Sequence, residues 1–392
     1  MLEWARMQPP ERLLTPAFAL LWVATFCVFF SFYLVLPALP VYAVRLGIRE
    51  AGVGVVIGVF ALASMIWKPW AGWIIDWRGR RPILRIGSVL FALANLAYPW
   101  TRSAASLFLV RVVHGTGMGL FPTAGAAAIT DLAPAGRRGE AMGLFGLAPN
   151  LALALGPVLG GVIEARAGFT GLCLVALGLA VLGTGLTLGV PETGRAAPRP
   201  PFRVQNLLVH QAFYPAVITC LLFLHYGALM GFLPLLAHAR GAESPGWFFT
   251  LMAVALLTVR TKAGQVSDRF GRPAVITPGL VMVAISLAVL AVAWAPWAIY
   301  GAGLLFGLGF GSAQPALMAW VTDHVPPNDH GRALATFYMA WELGIGGGQV
   351  LFGALLPVAG FDGLFAAAAG LALLASALAF RRRESRARGP ST

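Results

Sequence analysis

The most informative feature of this 392-residue sequence is how little charge it carries. Asp, Glu, Lys and Arg together make up only 11% of the residues, whereas a soluble domain typically carries about 25%. Such a chain cannot cover a folded core with a water-facing surface, which excludes an ordinary soluble protein. Instead, 58% of the residues are hydrophobic and the mean hydropathy is +0.78. Apolar runs of about 20 residues recur, the length that crosses a ~30 Å hydrocarbon core.

Cysteine and acidic residues are also scarce. Cys27, Cys173 and Cys220 all lie within apolar runs, so the sequence predicts neither a disulfide framework nor a metal site. Only 15 acids oppose 28 Lys and Arg, which gives a net charge of +13. We do not expect a nucleic-acid partner, because the basic residues sit in short loops between apolar runs. The sequence has no phosphate-binding loop, nucleotide motif or catalytic triad, so we expect neither enzyme activity nor a cofactor.

The apolar runs predict twelve transmembrane helices, and therefore an all-α membrane protein. Helix 1 is expected over 17–43, and helices 5 and 6 over 138–163 and 169–190. Helices 11 and 12 are expected over 331–357 and 364–380. The other predicted helices cover 53–75, 82–100, 104–131, 211–237, 246–267, 273–294 and 297–323.

The second half of the sequence repeats the first at an offset of 192 positions, as between Gly72 and Gly264. Further pairs at this offset are Asp76 and Asp268, Gly79 and Gly271, Arg80 and Arg272, Lys68 and Arg260, and Asp131 and Asp323. A parallel repeat of six helices predicts two pseudo-symmetric bundles related by an axis along the membrane normal. We expect an N-terminal bundle over 1–190, a polar linker over 191–210, and a C-terminal bundle with a basic tail over 211–392.

The basic residues predict the orientation in the membrane. If both termini are cytosolic, most loop arginines face the cytosol, as the positive-inside rule requires. The outer side then keeps only Arg45, Arg49, Arg102, Arg166 and Arg240. We therefore expect a multi-pass protein of the plasma (inner) membrane with both termini inside, in contact with lipid and acting as a monomer.

Three motifs together resemble those of one transporter family. They are Gly72-x-x-x-Asp76-x-x-Gly79-Arg80 between helices 2 and 3, Arg111-x-x-x-Gly115-x-Gly117 in helix 4, and Gly156-Pro157-x-x-Gly160-Gly161 in helix 5. The first resembles the loop 2–3 signature of the major facilitator superfamily, and the third its antiporter motif. On these motifs the chain is identified as a member of that superfamily, similar to its twelve-helix drug:proton antiporter and sugar-efflux branches. His114 departs from the pattern, where the family more often has Gln.

The loop 2–3 motif predicts a gate. Asp76 lies at the cytosolic end of helix 2, where its carboxylate can face the positive end of a helix dipole. The resemblance implies that this partner is helix 11 of the other half. The alternative is that the motif only fixes topology and turn shape. The predicted gate residues are Gly72, Asp76, Gly79, Arg80, Asp131 and Glu140, with Gly264, Asp268, Gly271, Arg272 and Asp323 in the repeat.

The helix 5 motif combines small residues with a proline. Gly156, Gly160 and Gly161 permit close helix packing, and Pro157 removes one backbone hydrogen bond. The resemblance implies an antiporter-specific seal against leakage. A packing kink without a coupling role is the alternative. The repeat has Gly348-Gln349 in place of Gly156-Pro157, so the motif occurs in one half only.

Polar groups inside the membrane are the candidate binding residues, because a charge at mid-bilayer costs about 2.5–3.5 kcal/mol on insertion scales. Glu342 lies about 11 residues into predicted helix 11, roughly 16 Å deep, and is the leading candidate for proton or cation binding. A structural hydrogen bond is the alternative for it, and packing or snorkelling roles are the alternatives for the rest. The other candidates are Arg111, His114, Asn150 and His225, with Tyr33, Tyr226, Gln314, Tyr338 and Trp341 as cavity-lining residues.

We expect a secondary transporter that exports a small amphipathic or sugar-like compound in exchange for protons by alternating access. One alternative is a facilitator or a proton symporter for nutrient uptake. Another is a lysolipid flippase on the same fold, and a third is a membrane sensor that transports nothing. The sequence does not decide the substrate or the proton stoichiometry.

Overall fold

The computed structural model describes residues 13–193, 209–242, 244–323, 325–326 and 330–387. The predicted linker over 191–210 therefore lies largely outside the described residues, and the two-bundle division stays a prediction. The described part consists of helices joined by short turns. The helices are α1 (Pro16–Val35), α2 (Ala38–Arg45), α3 (Glu50–Arg78), α4 (Arg80–Ala97), α5 (Ala104–Leu132), α6 (Arg138–Leu188), α7 (Phe213–Ala239), α8 (Gly246–Phe270), α9 (Pro273–Val292), α10 (Pro296–Thr322) and α11 (His330–Ala387).

Nine helical segments among the described residues are long and apolar enough to cross a membrane. Two of these, α6 with 51 residues and α11 with 58, are each two helices joined at a glycine with positive φ. Gly168 (φ 68°) and Gly360 (φ 64°) occupy conformations that a side chain disfavours. At 1.5 Å per residue, α6 has about 76 Å of helix, more than twice a hydrocarbon core. The all-α membrane architecture is confirmed, and the count of twelve crossings stays a prediction.

The predicted helix boundaries need two corrections. Predicted helix 1 is two helices, α1 and α2, because Pro37 has no amide to continue the hydrogen-bond ladder. The loops predicted between helices 5 and 6 and between helices 11 and 12 are absent. In each case the chain turns at one glycine, Gly168 or Gly360, without leaving helical hydrogen bonding on either side.

Packing divides the helices into two sets. In the first half α1 packs on α6, and α3 and α4 pack on α5. In the second half α7 and α9 pack on α11, and α8 and α9 pack on α10. The main contacts between the halves are α3 with α11 and α6 with α8, and α7 also touches α2 and α3. The four helices of the main contacts therefore form much of the wall of the space between the halves.

The two ends of the molecule differ in charge. One end, called the basic end from here on, carries the turns after α3 and α8, with Arg78, Arg80, Arg269 and Arg272. The opposite end, called the far end, carries α2, Gly168, Gly360 and the first turn of α8. The predicted orientation places the basic end in the cytosol.

Candidate functional site

The contact between α3 and α11 is tight at the far end and open at the basic end. A Cβ added to Gly54 would lie 2.2 Å from the Gln349 carbonyl oxygen, and one added to Gly353 would lie 2.9 Å from the Gly54 Cα. Gly72 lies on the same face of α3, 18 residues or five turns along. A Cβ at Gly72 would meet nothing within 4 Å. The two helices therefore diverge towards the basic end.

The contact between α6 and α8 follows the same pattern. A Cβ added to Gly246 would lie 2.6 Å from the Pro157 backbone, and the Thr250 hydroxyl donates to the Ala154 carbonyl. Gly264 lies 18 residues further along α8, and Gly139 lies 18 residues before Pro157 on α6. Both glycines occupy the contact face, and an added Cβ at either would meet nothing within 4 Å. A cleft between the halves is thus closed at the far end and open at the basic end.

An ion pair joins the two halves where α3 and α11 separate. Lys68 Nζ contacts Glu342 Oε1, and the Ser64 hydroxyl donates to the same oxygen at 3.1 Å. Glu342 is only 5% exposed, whereas the Lys68 side chain is 22% exposed. Lys68 Nζ also lies 5.5 Å from the centre of the Tyr338 ring. Glu342 is therefore a buried acid whose ion-pair partner comes from the opposite half.

A second cation belongs to this cluster. Arg260 of α8 lies at the position that corresponds to Lys68 in the repeat, and it interacts electrostatically with Tyr338. Its side chain is exposed, although it lies in the middle of α8. Within the described residues Arg260 forms no ion pair with a carboxylate. Among the described residues, this cluster therefore includes two cations, Lys68 and Arg260, and one acid, Glu342.

Aromatic side chains line the region where α1, α7 and α10 approach one another. Tyr33 and Tyr226 face each other through their hydroxyl groups, from opposite halves. The Tyr226 ring stacks on Phe310 with centroids 5.2 Å apart, and the Trp341 ring stacks on Phe223 at 4.0 Å. Trp341 precedes Glu342 directly, and the nearly buried Gln314 lies one turn beyond Phe310 on α10.

Arg111 and His114 form a separate cluster within the first half. Arg111 is 1% exposed and donates to the Ile57 carbonyl at 2.8 Å and to the Tyr98 hydroxyl at 3.4 Å. His114 Nδ1 lies 2.8 Å from that hydroxyl. The imidazole is fully buried among the rings of Phe32, Phe60 and Phe91. Ile57 precedes Ser64 by two turns on α3, so this cluster lies nearer the far end than Glu342.

Two other predicted binding residues are not in contact with Glu342. Asn150 donates its amide to the Gly146 carbonyl of its own helix at 2.7 Å. His225 is fully buried in α7, and neither ring nitrogen makes a hydrogen bond of normal geometry within the described part of the chain. Of the predicted binding residues, the structure therefore places Tyr338 and Trp341 near Glu342, whereas Arg111 and His114 lie together elsewhere.

The predicted gate residues form ion pairs within each half. Arg80 Nε donates to Asp131 Oδ2 at 2.8 Å, and Arg272 Nε donates to Asp323 Oδ2 at the same distance. Arg272 also contacts Asp268. Its hydrogen bond to Asp323 is the largest cause that raises the pKa of Arg272 above its usual value. These pairs tie each loop to the foot of the next helix rather than to the opposite half.

Asp76 and Glu140 do not join those pairs. Asp76 is exposed and makes no hydrogen bond or ion pair with the described part of α11. Glu140, also a predicted gate residue, pairs instead with Arg137 through both carboxylate oxygens, at 2.7 and 2.8 Å. Arg137 lies three residues before Glu140 at the start of α6, and side chains at this spacing are neighbours on a helix surface. The predicted contact between Asp76 and helix 11 is open in this structure.

Glu192 holds the start of α4. Its two carboxylate oxygens accept from the backbone N–H groups of Arg80 and Arg81, at 2.8 and 3.1 Å. Gly79 precedes them with φ 92°, and a Cβ there would lie 2.5 Å from the Glu192 carboxylate. The Thr193 hydroxyl donates to Asp131 at 3.1 Å. An anion at a helix N-terminus is stabilised by the free N–H groups and by the helix dipole.

The helix 5 motif packs in two directions. Added Cβ atoms at Gly156 and Gly160 would lie 2.6 Å from the Tyr33 Cβ and 2.2 Å from the Leu34 carbonyl oxygen, both of α1. Pro157 faces Gly246 of the other half, whereas Gly161 faces open space. The motif therefore seats α6 against α1 and α8 at the closed far end. A role in coupling stays a prediction.

The ion-pair partner of Glu342 and the helix cap formed by Glu192 were not predicted from the sequence. Lys68 and Arg260 are equivalent in the repeat, and both are unusual charges inside predicted helices. That signal marks Lys68 and Arg260 as candidate site residues from the sequence. Glu192 follows a membrane segment directly and precedes a basic stretch, and nothing in its position indicates α4 as its partner.

Comparison with known proteins identifies the class of the molecule. The sequence matches the Major Facilitator Superfamily over residues 21–259 and 215–392. The chain belongs to this superfamily, and it is a membrane transporter rather than an enzyme. It is 24% identical over 360 residues to the staphylopine export protein of Staphylococcus aureus (strain Mu50 / ATCC 700699), covering 88% of this chain and 90% of that protein. It is 26% identical over 369 residues to the uncharacterized transporter YhhS of Escherichia coli (strain K12), covering 92% and 90%.

Solved structures show the same fold. The human organic anion transporter MFSD10 (TETRAN) superimposes with a TM-score of 0.69 at 19% identity, covering 95% of this chain and 100% of that one. A POT family transporter superimposes with a TM-score of 0.81 at 13% identity, covering 94% and 96%. The resemblance in the sequence is thereby confirmed at the level of family and fold.

Proposed function

We propose that this chain is a secondary active transporter that exports a small solute in exchange for protons. The observation that carries the proposal is the buried ion pair between Lys68 and Glu342, which joins the halves where the cleft begins. A charged pair within a membrane is costly, and its usual explanation is function. The export direction is supported by the relationship to the staphylopine export protein, and the substrate of that protein is not carried over.

Protonation of Glu342 is the proposed coupling step. The carboxylate accepts hydrogen bonds from Lys68 and from the Ser64 hydroxyl. A proton on Glu342 removes the negative charge, and the attraction that binds α3 to α11 at this level is lost. The same acid cannot hold a proton and a cationic group of a solute at once. Exchange follows from this competition.

Alternating access is proposed for the movement of the halves. The cleft is closed at the far end by Gly54 and Gly246 and open at the basic end beside Gly72 and Gly264. In the opposite state the far end opens and the basic end closes. The glycines at the basic end then permit the same close approach that their counterparts permit here. Residues 1–190 and 211–392 are the proposed moving units, joined by 191–210.

The proposed setting is the plasma membrane, with both termini and the basic end in the cytosol. The structure is then the inward-facing state, in which cytosolic solute reaches the cleft. A single chain contains the whole cleft, so we propose that the monomer is the working unit. We propose that Asp76 contacts the N-terminus of α11 when the basic end is closed, and that the two are separated in the state described by this structure.

The test is a proton-exchange assay in proteoliposomes with a pH dye inside. Tetraphenylphosphonium, lactose, lysophosphatidylethanolamine and L-tryptophan are added outside in turn. We expect one of these compounds to enter while the interior becomes alkaline. Glu342→Gln abolishes the alkalinisation, because the amide cannot exchange a proton. The matched control is Glu50→Gln, which makes the same change at an exposed position in the first turn of α3.

Each other outcome contradicts the proposal in a defined way. Entry of a compound without proton movement indicates a facilitator. Entry with acidification of the interior indicates proton symport and nutrient uptake. Movement of lysophosphatidylethanolamine that ignores a protonophore indicates a flippase. Equal alkalinisation in Glu342→Gln and the wild type removes Glu342 from coupling.

A further inference from the structure

Arg260 is an unbalanced cation in the wall of the cleft. It lies on α8, at the position of the repeat that corresponds to Lys68 of α3. Lys68 pairs with Glu342, whereas Arg260 interacts electrostatically with Tyr338 and forms no ion pair with a carboxylate within the described residues. The Arg260 side chain is exposed, so a negatively charged group that arrives in the cleft can reach it.

Lys68 and Arg260 are placed to hold one anionic group between them. Tyr338 links the two cations, since Lys68 Nζ lies 5.5 Å from its ring centre and Arg260 interacts electrostatically with the same side chain. The guanidinium offers a planar fork that suits carboxylate and phosphate oxygens. Lys68 belongs to the first half and Arg260 to the second, so an anion bound by both bridges the open part of the cleft.

Exchange with protons places a second requirement on the charge of the solute. This requirement rests on the function proposed above. A proton and a solute exchange only if they compete, and the proton site is Glu342. A purely anionic solute binds better when Glu342 is protonated and Lys68 is released, which gives cotransport instead. A solute that competes with the proton must therefore offer its own cationic group to Glu342.

We propose that the substrate is a small amphoteric solute, with an anionic group held by Arg260 and Lys68 and an amino group held by Glu342. The solute thus replaces both partners of the Lys68–Glu342 ion pair. Its body faces the aromatic surface formed by Trp341, Tyr338 and the Tyr226–Phe310 stack. An aromatic or aliphatic body therefore suits the site better than a polyhydroxylated one.

The test compares ligands that differ by one charged group. Purified protein in detergent is titrated with L-tryptophan, with 3-indolepropionate, which lacks the amine, and with tryptamine, which lacks the carboxylate. L-Phenylalanine, 3-phenylpropionate and 2-phenylethylamine form a second set. The readout is the shift in Tm, at constant ionic strength kept with sodium chloride. We expect the amino acid of each set to bind about tenfold tighter than either partner compound, because each lost ion pair removes a charge-assisted hydrogen bond.

Variants assign each group to its partner. In Arg260→Gln, the affinity for each amino acid falls to that for the amine of the same set, tryptamine or 2-phenylethylamine, and the affinity for the amine does not change. Arg260→Lys restores part of this loss. In Glu342→Gln, the affinity for each amino acid falls to that for the carboxylate of the same set, 3-indolepropionate or 3-phenylpropionate. Lys262→Gln is the matched control, because Lys262 lies two residues along α8 and about 200° round its axis. It leaves all affinities unchanged.

The proposal is overturned if the acid or the amine alone binds as tightly as the amino acid, or if no compound of either set binds. It is also overturned if Lys262→Gln weakens binding as much as Arg260→Gln does. The assay needs neither a membrane nor a proton gradient. If the amino acids bind more tightly than their partner compounds but no proton exchange occurs in proteoliposomes, only the proposed function is contradicted. If proton exchange occurs but the amino acids do not bind more tightly, only the amphoteric substrate is contradicted.

Discussion

Lys68 of α3 and Glu342 of α11 neutralise each other across the interface between the two halves, although 274 positions separate them in the sequence. Glu342 has lost nearly all contact with solvent, so its charge is tolerated only because Lys68 and Ser64 satisfy it. Removal of one member leaves the other as an uncompensated buried charge, which typically costs about 3–5 kcal/mol. Removal of both leaves no such charge.

The first prediction is a double-mutant cycle on this pair. Lys68→Met should lower the free energy of unfolding by about 3 kcal/mol, because the Glu342 carboxylate is left without its cation. Lys68→Met combined with Glu342→Leu should recover most of that loss and still abolish proton exchange. The measurements are the Tm in detergent and the proteoliposome assay. Additive losses in the double variant mean that the two side chains are not coupled.

The second prediction concerns two glycines on one face of α3. Gly54→Val should destabilise the closed far end and lower the Tm, since its Cβ lies 2.2 Å from a backbone oxygen. Gly72→Val should leave the Tm unchanged, because its Cβ meets nothing within 4 Å. It should nevertheless slow transport by about tenfold or more, because the basic end can no longer close tightly. A Gly72→Val protein that transports at the wild-type rate contradicts alternating access at this contact.

The third prediction concerns Asp76. The structure gives this exposed carboxylate no partner on the described part of α11, so Asp76→Asn should leave the Tm within about 1 °C of the wild type. Transport should still fall, because the proposed closed state relies on a negative charge at the N-terminus of α11. Asp131→Asn provides the contrast. It breaks the pair with Arg80 and should lower the Tm as well. Equal behaviour of the two variants contradicts a gate at Asp76.

The fourth prediction concerns the cap on α4. Glu192→Ala should cost about 1 kcal/mol of stability, since the backbone N–H groups of Arg80 and Arg81 lose their acceptor and the helix dipole loses its anion. Glu50→Ala, in the first turn of α3, is the matched control for a surface acid without a capping bond and should cost less. The comparison is made by thermal unfolding in the same detergent. A larger loss in Glu50→Ala argues against the cap.

Much of the architecture could be predicted from the sequence. The scarcity of charge and the length of the apolar runs indicate helices that cross a membrane, because unpaired backbone groups are not tolerated in lipid. The 192-residue repeat and the glycines at 72 and 264 indicate two equivalent halves. Glu342 was also a candidate from the sequence, since helix geometry converts its sequence position into a distance along the helix. The contacts of Arg80 with Asp131 and of Arg272 with Asp323 follow the same repeat.

Other features depended on the tertiary structure. The sequence places Glu342 on a helix face, but only the packing of α11 on α3 decides that Lys68 and Ser64 meet it. Arg111 and His114 look as polar in the sequence as Glu342 does, yet packing encloses them among aromatic rings within one half. Residues with the same spacing, such as Gly54 and Gly72, differ only because the helices diverge between them. Periodicity fixes the face on which a side chain lies, whereas its partner is decided by how helices that are distant in the sequence pack together.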